Sequence, residues 1–345
     1  MSSSTGPDRR RVLVTGASLV GAAALPLPLA AAEAGLAPGA DFTQRVRAFL
    51  ATLDDERHRA ATFAWNGPEW TGWNYFGSAD FIKPGLRLEQ MSEPQKAAAW
   101  DVLPALLSPT GLQKARNVMT LQDVLAARGD GAGRRSSQRF SFAVFGAPAE
   151  TGAWGFRLEG HHLSLSAAVR DGRIVALTPS SFSANPNRVT TGRHAGLVTL
   201  AQEEALARRL IADLPPPQQA RARLSDTALR NILSYAGSER SHARKAGIAA
   251  ADLVAGQRDL LWQLVDTFTV EHLSPPLADV QRARVRSGDA AAVHFAWYGP
   301  NTPERAFGYR VIGDGFVIEM GSVDPAAQHL HTVYHDLATV LGRVG

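Results

Sequence analysis

The feature that most restricts how this chain can fold is a pair of period-two segments that resemble each other without a gap. Phe142–Ser166 laid on Phe295–Glu319, an offset of 153, aligns identical residues at Phe142/Phe295, Ala143/Ala296 and Gly146/Gly299. The identities continue at Ala153/Ala306, Gly155/Gly308, Arg157/Arg310 and Gly160/Gly313. Phe145/Tyr298, Trp154/Phe307, Phe156/Tyr309, Leu163/Phe316 and Leu165/Ile318 are aromatic or aliphatic exchanges. Apolar residues at every second position read as strands with one face buried, and recurrence at a fixed long spacing reads as duplication.

Each block follows a helix, a Ser-Pro break and a second helix. In the first, Ser92 and Gln95 form a helix-start pattern with Pro94 in the first turn. That helix runs to about Leu107, and the next spans about Leu112–Arg128. In the second, helices over roughly Ala250–His272 and Leu277–Arg286 flank Ser274-Pro-Pro276. A further helix is expected over Asp41–Ala64 and another near Thr199–Leu214. Strands are expected at Phe140–Phe145, Trp154–Leu158, His161–Val169 and Ile174–Leu177, with Asp171-Gly172 as a hairpin turn. The expected fold is α+β, with two related halves at about 92–180 and 250–335. Each half is a helix pair followed by an antiparallel sheet, and the two pack into one compact unit.

The first forty residues are organised differently. Asp8-Arg9-Arg10-Arg11-Val12-Leu13 precedes an uncharged Gly/Ala/Leu run that ends in Ala30-Ala31-Ala32. Paired arginines, an apolar run and a small-residue cleavage site match a twin-arginine export signal. The leader is therefore expected at 1–32, with a single mature domain at 33–345 in the periplasm or secreted. No later stretch is apolar enough to span a bilayer, so no membrane association is expected once the signal is removed.

Charge and cysteine content narrow the function classes. The formal net charge is +4. Cleavage after Ala32 removes Arg9, Arg10, Arg11 and Asp8 and leaves 33 basic against 31 acidic residues. The densest remaining basic patch, Arg134, Arg135 and Arg139, lies beside a Gly-rich loop and lacks the continuous face that nucleic acid needs. No cysteine is present. That excludes disulfides, thiolate metal sites and cysteine nucleophiles, so any metal must be held by His, Asp, Glu, backbone or water. Gly-x-Ser-x-Gly, His-Glu-x-x-His and Walker patterns are also absent.

The duplicated pattern shows where the two blocks part. His161-His162 fall where the second block has Asp314-Gly315, an ordinary hairpin turn, and His329-Leu-His331 fall where the first has Ala176-Leu-Thr178. On a strand, residues two apart face the same way. His329 and His331 are thus expected to present imidazoles to one ion, and Glu159 and His161 to share a face with His162 opposite. Glu319 ends the apolar strand Phe316-Val-Ile-Glu, where a carboxylate is costly to bury without a partner. The candidate metal ligands are His161, His162, His329 and His331, and the candidate catalytic carboxylates are Glu159 and Glu319. Zinc, iron or copper would suit such a donor set. Histidines that cap strand ends and bond backbone groups are the bland alternative. The aromatics Trp65, Trp70, Trp73 and Trp154 suggest a small-ligand groove, or a packed cover over the core.

At these residues the chain resembles a bacterial family known as domain of unknown function 3500. The resemblance rests on Phe145-Gly146, Trp154-Gly155, Glu159-Gly-His-His-Leu163, Thr178-Pro179, Ile318-Glu319 and His329-Leu-His-Thr-Val-Tyr334, and it covers most of the mature chain. In that family the last motif continues with Arg-Asp, whereas this chain carries His335-Asp336. The resemblance implies a common fold and supports the His and Glu positions as a site. The resulting expectation is an exported metal-dependent enzyme, hydrolytic or oxidative, acting on a small molecule. The alternative is a non-catalytic periplasmic protein that binds metal or a small ligand.

Overall fold

The computed structural model describes residues 37–77, 83–131, 133–238 and 243–339. The expected leader, 1–32, lies outside them. Eight strands form the body of the sheet: β1 (Ser141–Phe145), β2 (Ala153–Gly160), β3 (Leu163–Arg170), β4 (Ser180–Phe182), β5 (His294–Tyr298), β6 (Gly308–Ile312), β7 (Phe316–Ser322) and β8 (Leu330–Asp336). Their spatial order is β5-β6-β7-β8-β4-β3-β2-β1, and every neighbouring pair is antiparallel. Short strands extend both ends, giving one 14-stranded sheet among the described residues. The protein is therefore α+β.

Strand alternation separates two environments. Phe142 and Val144 of β1 and Trp154, Phe156 and Leu158 of β2 pack against helices Ala40–Ala51, Glu93–Val102 and Pro109–Ala127. Phe295, Trp297, Tyr309, Val311, Phe316 and Ile318 meet helices Ala201–Asp213 and Ala255–Thr269 in the same way. The intervening positions point to the other side of the sheet, as a period of two requires. That side is covered by the aromatic segment Trp70–Tyr75 and by Ile232, which pack on Ala143, Phe145 and Val333. Buried Arg157, Glu159, Arg310, Glu319, His331 and His335 occupy these intervening positions, so the polar interior lies under the irregular cover and away from the helices. Gly155 permits the close approach there: a Cβ at this position would lie 2.8 Å from atoms of both Trp65 and Trp70.

Several boundaries differ from the sequence expectation. The helix expected over Asp41–Ala64 is two, Ala40–Ala51 and Asp55–Ala61, because the Asp54 side chain accepts from Arg57 N and starts a new one. The helix expected from Ala250 begins at Ala255 and ends at Thr269. His161 and His162 are not strand residues. They form the two-residue turn between β2 and β3, with Gly160 paired to Leu163.

Candidate metal centre

The turn that carries His162 is held from both sides. His162 has φ +70°, a left-handed conformation uncommon for a residue with a Cβ. Its N–H donates to Tyr75 O at 2.8 Å, and its carbonyl accepts from Ser183 N at 2.7 Å. The expected pairing of Glu159 with His161 on one strand face therefore does not form, because the turn re-aims both imidazoles. On the other side of the sheet centre, Asp324 Oδ1 accepts from the backbone N–H of Gln328 (2.8 Å) and of His329 (2.7 Å) and fixes the approach to β8. His331 lies two residues further along, on the same strand face as His329.

These elements bring three imidazoles together. The Nε2 atoms of His329 and His162 are 3.0 Å apart, those of His329 and His331 3.0 Å, and those of His331 and His162 3.2 Å. His162 and His331 are buried and His329 is partly open. Burial holds all three below the ordinary imidazole value, with His331 at about 3. Neighbouring imidazoles add to the effect at His162 and His331. Each ring is therefore neutral near pH 7 and carries one N–H.

Neutral rings in this arrangement have a hydrogen-bonding conflict. Each edge of the triangle needs one donor and one acceptor, and three atoms cannot satisfy three edges that way. The proton position at His331 sharpens the point. Its Nδ1 lies 2.8 Å from Asn231 Oδ1, which also accepts from Tyr75 Oη at 3.1 Å and Ile232 N at 2.9 Å. His331 therefore donates from Nδ1 and presents the lone pair of Nε2 to the triangle. A cation at the centre removes the conflict by taking all three lone pairs. Metal–nitrogen bonds of about 2.0–2.1 Å place nitrogens about 3.3–3.4 Å apart in a tetrahedron and about 2.8–3.0 Å apart at neighbouring octahedral positions. The observed spacing falls between the two, and these three residues can hold a metal ion.

His161 belongs to the surroundings of this group. Its ring lies 3.6 Å from that of His162, centroid to centroid. Its Nδ1 lies 2.8 Å from Arg135 Nη1 and 2.7 Å from Gln122 Oε1. Burial and Arg135 push its imidazole down to about 2. It acts as a packing wall for His162.

The two candidate carboxylates serve the polar interior. Glu319 Oε2 accepts from Leu233 N (2.7 Å), Ser234 N (2.9 Å) and Ser234 Oγ (2.8 Å), while Oε1 pairs with Arg310 Nε at 2.7 Å. The Leu233 and Ser234 contacts tie the cover to the sheet and the Arg310 contact joins neighbouring strands, so this carboxylate is engaged away from the imidazole triangle. Glu159 Oε1 accepts from Asn74 N (2.7 Å) and Ser164 Oγ (2.9 Å). Glu319→Ala is expected to cost about 3–5 kcal/mol, because it removes the carboxylate from a buried ion pair with Arg310 and from three cover hydrogen bonds. Urea unfolding of metal-free protein measures this, and a loss below about 1 kcal/mol would show that water replaces the pair.

Trp70 and Trp154 are fully buried, and Trp73 is 2% exposed. Trp154 stacks on Phe42 at 5.2 Å, and Trp70 packs on Phe145 at 4.8 Å with the Arg157 guanidinium 4.9 Å from its ring. Trp65 is partly buried against Trp70 at 5.0 Å. Trp65, Trp70 and Trp154 build the cover and the core beneath it, and Trp73 also lines a surface pocket of about 300 Å³ with Tyr75, Phe76 and Tyr235. His335 is buried too, with Nε2 2.9 Å from Ser234 O and its ring edge-on to Trp73. Asn231 was not found by sequence reasoning, since it sits in no periodic segment or motif, and Tyr75 was read only as one of the cover aromatics rather than as a partner of Asn231.

A family model described as "Protein of unknown function (DUF3500)" matches residues 37–339. The chain belongs to this family. The match spans nearly all the described residues, so the matched region of this chain includes His162, His329 and His331. No curated protein and no solved structure matches the chain.

Proposed function

We propose that this DUF3500 protein is an exported metal-dependent enzyme that uses His162, His329 and His331 as ligands and acts on a small molecule. The observation that carries the reading is the triangle of three neutral imidazoles, with His331 oriented by Asn231 so that its lone pair faces inward. Three histidines with a further coordination position suit catalytic zinc, and the same donors suit iron or copper, so the chemistry is hydrolytic or oxidative. When bound, such an ion supplies Lewis acidity or an activated water. Asn231 and Tyr75 hold His331 in orientation, and His161 packs against His162. The partial exposure of His329 marks the open side.

A non-catalytic metal-binding protein is the second reading. It is favoured by the burial of His162 and His331, 1% and 6% exposed, which leaves little room around two of the ligands. The open position separates the two readings. Protein loaded with cobalt(II) should show a visible spectrum that shifts on adding azide if a coordination position is free. A spectrum that azide leaves unchanged would retire the enzyme reading and keep the binding one.

We further propose that the two sheet halves descend from one duplicated unit and that the protein reaches the periplasm by the twin-arginine route. The first is supported by the 153-residue offset, which carries Ser180–Phe182 onto Val333–His335, the neighbouring strand. The second is supported by Arg9-Arg10 and by Ala30–Ala32, and N-terminal sequencing of the exported chain tests it. Among the described residues no helix is long and apolar enough to cross a membrane.

A further inference from the structure

Beside His161 the surface opens into a cleft of about 560 Å³, a volume suited to a small molecule. Among the described residues its lining includes Lys83, Arg87, Arg134, Arg135 and Arg139 and no carboxylate. Arg87 and Arg139 share one acid, Glu89, at 3.1 and 3.3 Å. Lys83, Arg134 and Arg135 form no salt bridge among the described residues. A concave wall of one sign concentrates field lines and raises the local concentration of the opposite charge.

Arg135 connects the cleft to the imidazole group. Its Nη1 reaches His161, whose ring packs at a tilt against that of His162. Its Nε–H is shielded from water and has no acceptor. This nitrogen lies against Gly131, so the guanidinium offers the cleft its Nη groups rather than its Nε–H. Gly77 lets the wall close at this point, since a Cβ there would lie 2.6 Å from His161 Cδ2 and overlap Arg135 Nη1. Lys83 Nζ donates to Asn74 O at 2.7 Å and to Asn74 Oδ1, and burial lowers its ammonium only to about 8, so it stays charged near pH 7 and adds to the positive wall.

We propose that this cleft seats the anionic group of the small molecule on which the three-histidine centre acts, a carboxylate or a phosphate-like oxyanion. Arginine is suited to both, because its planar fork bonds two oxygens at once. The assignment of this anion as substrate rests on the metal-enzyme reading above, whereas anion capture by the cleft stands on the cationic lining itself.

The test is calorimetric titration of the folded protein with inorganic phosphate and, separately, with succinate. It is run on wild type with and without zinc, on Arg134→Gln plus Arg135→Gln, and on His329→Ala plus His331→Ala. Wild type should bind at least one of the two anions, with affinity falling as sodium chloride rises. The arginine variant should bind at least about tenfold more weakly. Which anion binds more tightly assigns the carboxylate or the oxyanion. Circular dichroism melting checks that the variants fold, and the salt dependence of wild type stands even if one does not. No saturable heat with either anion would overturn the proposal, as would equal affinity in the arginine variant. Anion binding lost in the histidine variant but kept in the arginine variant would place the anion on the metal and overturn it too. Anion binding that needs the arginines, in protein that takes up no zinc, would support the cleft and remove the metal reading alone.

Discussion

Replacing His329 and His331 by alanine is expected to abolish metal binding, taking zinc from one ion per chain to near none. Two of the three inward lone pairs disappear, and His162 alone cannot hold an ion against water. Elemental analysis after dialysis against trace zinc measures the loss directly. Asn231→Ala should have a graded effect, since it leaves all three ligands in place and frees only the tautomer and orientation of His331. Removal of such a supporting partner weakens metal binding by about 10–100-fold. The pair of variants distinguishes a metal centre from a polar cluster of equal composition. Wild type that takes up no zinc, iron or copper would end the metal reading. So would a double variant that binds as wild type does.

The second large effect is acid sensitivity of the metal-free protein. In the unfolded chain each imidazole protonates near 6.5. In the fold, burial keeps His331 and His272 neutral down to about 3 and His161 down to about 2. Between those limits the unfolded state binds more protons, so stability is full above about 6.5 and declines as pH falls. Moving from pH 7 to pH 5 should remove roughly 2 kcal/mol for each such histidine, which for several together approaches the whole stability of an ordinary domain. Denaturant unfolding at the two pH values measures it. His272 provides an internal control away from the triangle, because it is buried beside Phe182 with its Nδ1 unpaired. His272→Leu should flatten the slope by that one share. Stability unchanged between pH 7 and pH 5 would mean that these rings are solvated, or already charged, in the folded state.

Much of the fold was legible because its elements announce themselves locally. The alternation in Phe142–Phe145 and Trp154–Leu158 is the pattern of a strand with one face against helices, and those residues do pack there. Ser92, Gln95 and Pro94 start a helix at Glu93 through a capping box, a contact made within four residues. Glu319 was recognised as a buried carboxylate in need of a partner, and its partners are Arg310 and the Leu233–Ser234 backbone.

What failed did so where conformation depends on distant contacts. His161-His162 continue an apolar alternation and read as strand, yet they form a turn held by Tyr75 and Ser183, which are remote in sequence. The aromatics near Trp70 are consistent with either a groove or a cover, and the proximity of Gly155 and Arg157 makes Trp65 and Trp70 a cover, while Trp73 lines a surface pocket.

By itself the sequence determined the α+β class, the family, the absence of thiolate chemistry and the two histidine motifs. The family follows from the resemblance of whole motifs, and the rest from composition and from spacings of a few residues. The tertiary structure decided which imidazoles meet: His162, His329 and His331, with His161 turned toward Arg135 and Gln122. It also supplied Asn231, which orients His331 across a hundred residues of chain. The physical reason is that a coordination triangle is defined by distances of about 3 Å, and strand pairing and a gripped turn set those distances.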